Sequence, residues 1–278
     1  MTTQIPFLKM HGAGNDFVVI DNRADDIRID SDAAAKIAQR RFGIGCDQLV
    51  VMDKAEQADV KMRIYNADGG EVAACGNATR CIGWRVMQES GKEVVTIETQ
   101  AGRLSVQRGA APFQVTVDMG EPCWDWQKIP LTESRNTEHL GISDGALMDP
   151  VALSVGNPHM VFFVRDIDFV AMDKHGPVLE KNSLFPKGAN VSAAQIIDSE
   201  TIKLKVWERG AGLTLACGTA ACATLVAAVR RKLTGRKATI QLAGGDLYIE
   251  WRETDNRILM TGPVAEVFSG TFERELIA

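Results

Sequence analysis

Two stretches decide the reading of this chain: YNADGGEVAACGNA, Tyr65 to Ala78, and WERGAGLTLACGTA, Trp207 to Ala220. Each runs from an apolar segment through a glycine-containing turn to Ala-Cys-Gly and then a helix-forming run. Cys75 and Cys217 lie 142 residues apart in a chain of 278. The same spacing, without gaps, places Gly14-Asn15 on Gly156-Asn157, Gln48 on Asn190 and Asn66 on Glu208. Four polar or reactive positions in the first half thus meet four in the second, and a duplicated domain is the simplest explanation. Duplicated lobes that face each other put equivalent positions around a shared cleft, a favoured place for a ligand site.

The surrounding pattern predicts lobes built mostly from strands. Alternating or β-rich apolar runs occur at 17–21, 48–52, 60–65, 94–98, 113–118, 160–164, 201–207, 247–251 and 257–260. Helices are predicted from about Asp32 to Arg41 behind Ser31 as cap, and after Cys75 and Cys217, ending near Gly91 and Gly235. The polar stretch Glu121 to Pro150 reads as the connection between lobes.

Composition narrows the class. With 45% hydrophobic and 24% charged residues, the chain buries a substantial core and is a soluble globular protein. Thirty-one Lys plus Arg against 36 Asp plus Glu give a net charge of −5, which argues against nucleic acid or an acidic membrane as partner. Met1 to Phe17 has no apolar export signal. The Ala-rich run Leu213 to Val229 is too short for a membrane span and reads as a buried core helix. Six cysteines (Cys46, Cys75, Cys81, Cys123, Cys217, Cys222) without an export signal predict reduced thiols in a cytoplasm. No CxxC pair occurs and the four histidines (His11, His139, His159, His175) are scattered, so no metal site is expected. HGAG at His11 to Gly14 lacks the third glycine of a dinucleotide fingerprint.

The two repeated cysteines carry the chemistry. Each follows a turn and starts a helix, where unpaired amides and the positive end of the helix dipole favour anions, lower a thiol pKa and receive a carboxylate. Gly76 and Gly218 let a carboxylate approach the backbone closely. Two such thiols facing one stereocentre suit inversion at a carbon next to a carboxylate: one thiolate removes the α-proton and the other thiol donates a proton to the opposite face. The amides of Gly76, Asn77, Gly218 and Thr219 would stabilise the enolate-like charge. No cofactor is required. Cys46, Cys81, Cys123 and Cys222 are read as structural.

The motifs HGAGNDF (His11 to Phe17), GCDQ (Gly45 to Gln48), NADGGE (Asn66 to Glu71), CGNATRC (Cys75 to Cys81), GNPH (Gly156 to His159), Asn190, and ERGAG followed by ACGTAAC (Glu208 to Cys222) span almost the full chain. In them the sequence closely resembles the diaminopimelate epimerases. That resemblance implies interconversion of LL- and meso-diaminopimelate in lysine and cell-wall precursor synthesis, with Cys75 and Cys217 as the acid/base pair. It implies substrate binding by Asn15, Gln48, Asn66, Asn157, Asn190 and Arg209, with Glu208 and His159 supporting the reaction. Arg209 can grip a carboxylate bidentately, and Glu208 can pair with the α-ammonium. The fold implied is α+β: two pseudo-symmetric lobes, each a strand-rich barrel around a central helix. The lobes are expected at 1–118, with 263–278 returning to it, and at 119–262, with the active site in the cleft between them. A homodimer is implied as well. Ala78 and Ala220, 142 residues apart, stand where the family commonly has Gly, which puts close packing of those helices in doubt.

Three other readings compete. A proline or hydroxyproline racemase shares the thiol pairing, but its substrate has no distal amino-acid end to occupy Arg209, Asn157 and Asn190. A thiol redox protein or cysteine hydrolase would show CxxC or one cysteine with a histidine. A non-catalytic amino-acid binding protein would tolerate loss of either thiol.

Overall fold

The computed structural model describes residues 4–25 and 27–277. The first three residues of the Met1–Phe17 stretch and Ala278 of the expected returning segment lie outside them. The chain forms two compact units, one of residues up to Val117 together with Gly262 onward, the other Asp118–Thr261. The expected division fell one residue later. Asp118 belongs to the second unit because its carboxylate accepts from Arg257 Nε at 2.6 Å and from the Gly120 amide at 3.0 Å.

The first lobe opens with the hairpin β1 (Gln4–Gly12) and β2 (Asn15–Asp21) and crosses through helix α1 (Ser31–Ala38) to β3 (Gln48–Asp53). It turns back in β4 (Val60–Asn66) and β5 (Glu71–Val72), enters helix α2 (Gly76–Ser90), and continues in β6 (Val94–Thr99), β7 (Gly102–Arg108) and β8 (Gln114–Asp118). The second lobe begins with the small hairpin β9 (Ser143–Asp144) and β10 (Leu147–Met148), followed by β11 (Val151–Ser154) and β12 (Pro158–Phe163). After α3 (Met172–Glu180) come β13 (Asn190–Asp198), β14 (Thr201–Glu208), β15 (Gly212–Thr214) and α4 (Gly218–Arg230). β16 (Lys237–Leu242), β17 (Gly245–Trp251) and β18 (Ile258–Pro263) complete the lobe, and β19 (Ala265–Glu273) pairs antiparallel with β1.

The internal repeat is visible in register. β2 runs parallel to β3 with Phe17 opposite Gln48, and β3 runs antiparallel to β4 with Gln48 opposite Asn66. In the second lobe β12 runs parallel to β13 with His159 opposite Asn190. β13 runs antiparallel to β14 with Val191 opposite Trp207, a register that continues to Asn190 and Glu208. Both parallel pairs are joined by a crossover containing a helix, as parallel neighbours require.

Each lobe wraps its sheet around one helix. Ten of the fifteen residues of α2, including all of 76–83, and ten of the thirteen of α4 are buried; α2 reaches solvent only in its last two turns, where Arg85 pairs with Glu89. α2 touches both β1 and β7, which are separated in the sheet by β2, β3, β4 and β6, so the sheet must curl. In the second lobe, residues 119–123 bridge the sheet ends. Met119 and Gly120 bond Ile258 on β18 at 2.8 Å, and Cys123 pairs with Ser154 on β11 at 2.7 and 2.8 Å. Ala78 and Ala220 are fully buried in the first turns of these helices, so the tight packing accommodates both methyl groups.

Several expectations are corrected. The cap of α1 is Asp30, whose carboxylate accepts from the Ala33 amide at 3.0 Å, whereas Ser31 donates to the Gly69 carbonyl. That helix stops at Ala38, three residues early, because Gln39 turns to extended backbone. α3 was not anticipated, although the repeat spacing carries α1 onto it. The strands β1, β7, β11, β13, β16 and β19 and the short β5, β9, β10 and β15 lie outside the expected runs; β13 reads NVSAAQIID, whose small residues have weak strand propensity yet are buried in the sheet. The 121–150 stretch is no linker: Ile129, Leu131, Leu140 and Leu147 are buried in the second lobe's core. Of the apolar run starting at Leu213, the first residues form β15, and Leu213 and Leu215 are exposed. No described helix is long and apolar enough to cross a membrane.

α4 ends at Arg230 rather than near Gly235. Lys232 takes a left-handed conformation, φ 58°, and its amide bonds the Val229 carbonyl while the Leu233 amide bonds the Ala228 carbonyl. This is a Schellman motif with lysine where glycine is usual. Lys232→Gly should therefore stabilise the protein by about 1 kcal/mol, the size of the left-handed penalty. Urea melts that show no increase in stability would contradict this account.

Candidate active site

The two halves of the site are built separately, one in each lobe. In the first, Ala13 (φ 54°) and Gly14 (φ 82°) form the tight turn between β1 and β2, which sets Asn15 at the start of β2 opposite Gly12. Cys75 is the N-cap of α2, with extended backbone, and is half-buried. Its Sγ donates to Asn15 Oδ1 at 3.7 Å, and Asn77 Nδ2 donates to the same oxygen at 3.2 Å. Asn15 Nδ2 donates to Asp47 Oδ2 at 3.2 Å. Gln48 and Asn66, opposite each other on β3 and β4, are joined by Gln48 Nε2 to Asn66 Oδ1 at 2.9 Å. Gly76 and Asn77 are buried in the first turn of α2, which the Thr79 amide closes onto the Cys75 carbonyl at 2.9 Å.

The second half repeats the plan with different side chains. Cys217 is the N-cap of α4 and is buried, with Sγ 3.5 Å from Thr219 Oγ1. Thr219 Oγ1 accepts from Asn157 Nδ2 at 3.3 Å, and Asn157 Oδ1 lies 2.8 Å from Nε2 of the fully buried His159. Gly218 is buried beside them. Glu208, at the end of β14, accepts from Thr214 Oγ1 and faces Cys217. Asn190 is buried; its Oδ1 accepts the Arg209 amide at 3.0 Å and its Nδ2 donates to the Pro158 carbonyl at 3.1 Å. The exposed Arg209 donates from Nη1 to the Lys187 carbonyl at 3.1 Å.

The structure thus gathers Asn15, Cys75 and Asn77 into one bonded group, with Gln48 and Asn66 as a second pair. Cys217, Thr219, Asn157, His159 and Glu208 form a third group, and Asn190 with Arg209 a fourth. A cavity of about 410 Å³ lined by Glu180 and Gly188 among others contains neither thiol. The sequence reading missed Glu180, whose carboxylate accepts from Gly210 N at 2.9 Å and Trp207 Nε1 at 2.7 Å and so pins the turn that carries Arg209. The repeat offers no signal for it, because the corresponding position 38 is alanine.

The expected lowering of the thiol pKa at a helix N-terminus does not hold at Cys217. Burial, and after it the Glu208 carboxylate, push this thiol well above its usual value; the Thr219 hydroxyl and Ala220 amide pull the other way without prevailing. Cys217 therefore rests as S–H. Burial, aided by the positive charge of Arg209, holds His159 down at about 3, so its ring is neutral near pH 7. Burial also raises Cys46 to about 11 and Cys81 to about 12, which keeps both as inert thiols.

These features match known proteins along nearly the whole chain. The family model for diaminopimelate epimerase matches residues 7–124 and 151–267. A diaminopimelate epimerase of Rhodospirillum centenum is 50% identical over 273 residues, covering 98% of this chain and 93% of the relative. One from Acidiphilium cryptum is 48% identical over 278 residues and covers 100% of both chains. Among solved structures, a hydroxyproline epimerase from Agrobacterium vitis superimposes with a TM-score of 0.70 at 13% identity, covering 98% of this chain and 93% of that one, a likeness of fold. On the matched length and identity, the chain belongs to the diaminopimelate epimerase family.

Proposed function

We propose that this chain interconverts LL- and meso-2,6-diaminopimelate without a cofactor, using Cys75 and Cys217 as an alternating thiolate and thiol. The reading rests on one observation: both lobes present a thiol at the N-terminus of a buried helix, beside polar side chains in matching register. Membership of the family supports the rest of the reading: a cytoplasmic homodimer that takes this small molecule as substrate in lysine and cell-wall precursor synthesis.

The reaction follows from proton bookkeeping. One sulfur, as thiolate, takes the α-proton and becomes a thiol. The electron pair left on the α-carbon spreads into the adjacent carboxylate, whose charge the amides of Gly76, Asn77, Gly218 and Thr219 receive. The other thiol gives its proton to the opposite face and becomes the thiolate. Protein and substrate together lose and gain nothing; the thiolate now sits on the other sulfur, and a further turnover in the same sense requires a proton to pass from the first sulfur to the second through solvent. Arg209, Asn157, Asn190, Asn15, Gln48 and Asn66 supply the polar lining that a diamino dicarboxylic acid requires. The α-ammonium pairing with Glu208 also offsets the negative charge that, second to burial, raises the Cys217 thiol. His159, neutral and bonded to Asn157, orients that amide rather than moving protons.

Cys75→Ala and Cys217→Ala should each lower net inversion of LL-diaminopimelate at least about a hundredfold, measured in deuterated water with reduced enzyme. Turnover near that of the unmodified enzyme in either variant would sink the two-base reading, and racemisation of proline at comparable rate would favour the rival substrate class.

Glu208→Gln should separate two effects: faster iodoacetamide alkylation of Cys217 in the ligand-free enzyme, and kcat/KM lower by at least about tenfold through the lost ammonium contact. Unchanged values of both would refute the role.

The third expectation concerns acid. Burial holds His159 at about 3 in the folded chain, whereas an unfolded histidine titrates near 6.5, so the unfolded chain binds the extra proton first. Stability assignable to His159 is complete above 6.5 and falls by about 1.4 kcal/mol per pH unit as pH drops toward 3. His159→Gln should remove that slope from urea melts taken across the window. An identical slope in the variant would show that His159 is not the group responsible.

A further inference from the structure

Two residues inside the recognised motifs have no part in the mechanism above: Asp47 of GCDQ and Arg80 of CGNATRC. Arg80 is fully buried in α2, five positions from its N-terminus, where the helix dipole disfavours a cation and burial adds a desolvation penalty. Its Nη2 donates to Asn77 Oδ1 at 2.9 Å. Room for it is provided by Gly12, where a methyl group would lie 3.1 Å from Arg80 Nη2 and 3.3 Å from the Asn77 carbonyl. Asp47 lies at the other end, accepting from Asn15 Nδ2.

The order of bonds is directional. A guanidinium only donates and a carboxylate only accepts, whereas a side-chain amide does both and can flip. Arg80 donates to the oxygen of Asn77, so Asn77 offers its NH2 to Asn15. Asn15 must then present its oxygen on that side and its NH2 to Asp47. Both amides are fixed from both ends, and the oxygen left in place is the one that accepts the Cys75 thiol.

We propose that Arg80 and Asp47 are positioning residues that lock the Asn77 and Asn15 amides, so that Cys75 meets a hydrogen-bond acceptor rather than a donor in the ligand-free enzyme. An acceptor facing the sulfur favours the thiol over the thiolate at Cys75 and so slows its reaction with electrophiles. The charged groups around it are Arg40, which pairs with Asp47 at 2.8 Å and Asp16 at 2.6 Å, and Lys9, which pairs with Asp16 at 2.5 Å. They anchor the Asp47 end. The repeat lacks the device: Arg80 corresponds to Cys222 and Asp47 to Ala189.

The proposal rests on Cys75 being one of the two acid/base groups, but its test reads the thiol directly and needs no turnover. Alkylation of Cys75 by iodoacetamide is measured in the ligand-free enzyme by peptide mapping, with Cys217 as internal reference, for Arg80→Gln, Asp47→Asn and the double variant. Either single change leaves one end locked and should alter the Cys75 rate less than about 1.5-fold. The double change frees the Asn15 amide to turn its NH2 to the sulfur, which should speed alkylation at least about tenfold while Cys217 is unaffected. Arg80→Lys, still a pure donor, should restore the slow rate when combined with Asp47→Asn. If Arg80→Gln fails to fold, Arg80→Met, which keeps the buried apolar stem and removes every donor, takes its place in the cycle. A double variant equal to the product of the singles, or acceleration of both thiols alike, would overturn the lock.

Discussion

Each lobe is governed by the problem of starting a helix inside a sheet. The opening turns of α2 and α4 are buried on nearly every side, so their first amides cannot be solvated freely and have no partners within the helix. A serine, threonine or aspartate at the cap would satisfy one of them and stabilise the helix by about 1 kcal/mol. Both lobes instead place cysteine there, whose sulfur is a weaker acceptor than an oxygen. In the proposed reaction the first amides are the groups that receive the substrate carboxylate, beside the thiol. Curling the sheet, burying the helix and setting its N-terminus just after a strand and turn are parts of this one arrangement.

The two halves share a backbone and differ in electrostatics. Glu208 replaces Asn66 beside the thiol, while Arg80 and Asp47 have Cys222 and Ala189 as counterparts. The second thiol sits in an apolar, acidic setting with a neutral histidine nearby, and the first in an amide relay between a cation and a carboxylate. A repeat that kept its register but diversified its charges can treat two chemically identical sulfurs differently. That difference suits an enzyme whose substrate centre has two unequal faces.

Much of the site was legible because the repeat gives each functional position a second witness. Cys75, Asn15 and Gln48 found their partners through one spacing, and the register of β2, β3 and β4 against β12, β13 and β14 is the physical origin of that spacing. Glu180, Thr214 and Arg80 were not legible, since their importance lies in which atom they bond, and hydrogen-bond direction has no sequence periodicity. The hidden strands share a cause: β13 and β19 are held by neighbours on the ladder rather than by their own propensity.

Sequence alone determined the duplication, the cysteine at each helix start and the family, because these depend on residue identity and spacing. Only the tertiary structure decided the state of the groups. Burial overrode the helix dipole at Cys217, made His159 neutral, and turned the polar stretch around Ile129 and Leu140 from an expected linker into core. The reason is physical: a dipole or a hydrophobic pattern is local, whereas desolvation is set by everything that packs around a group.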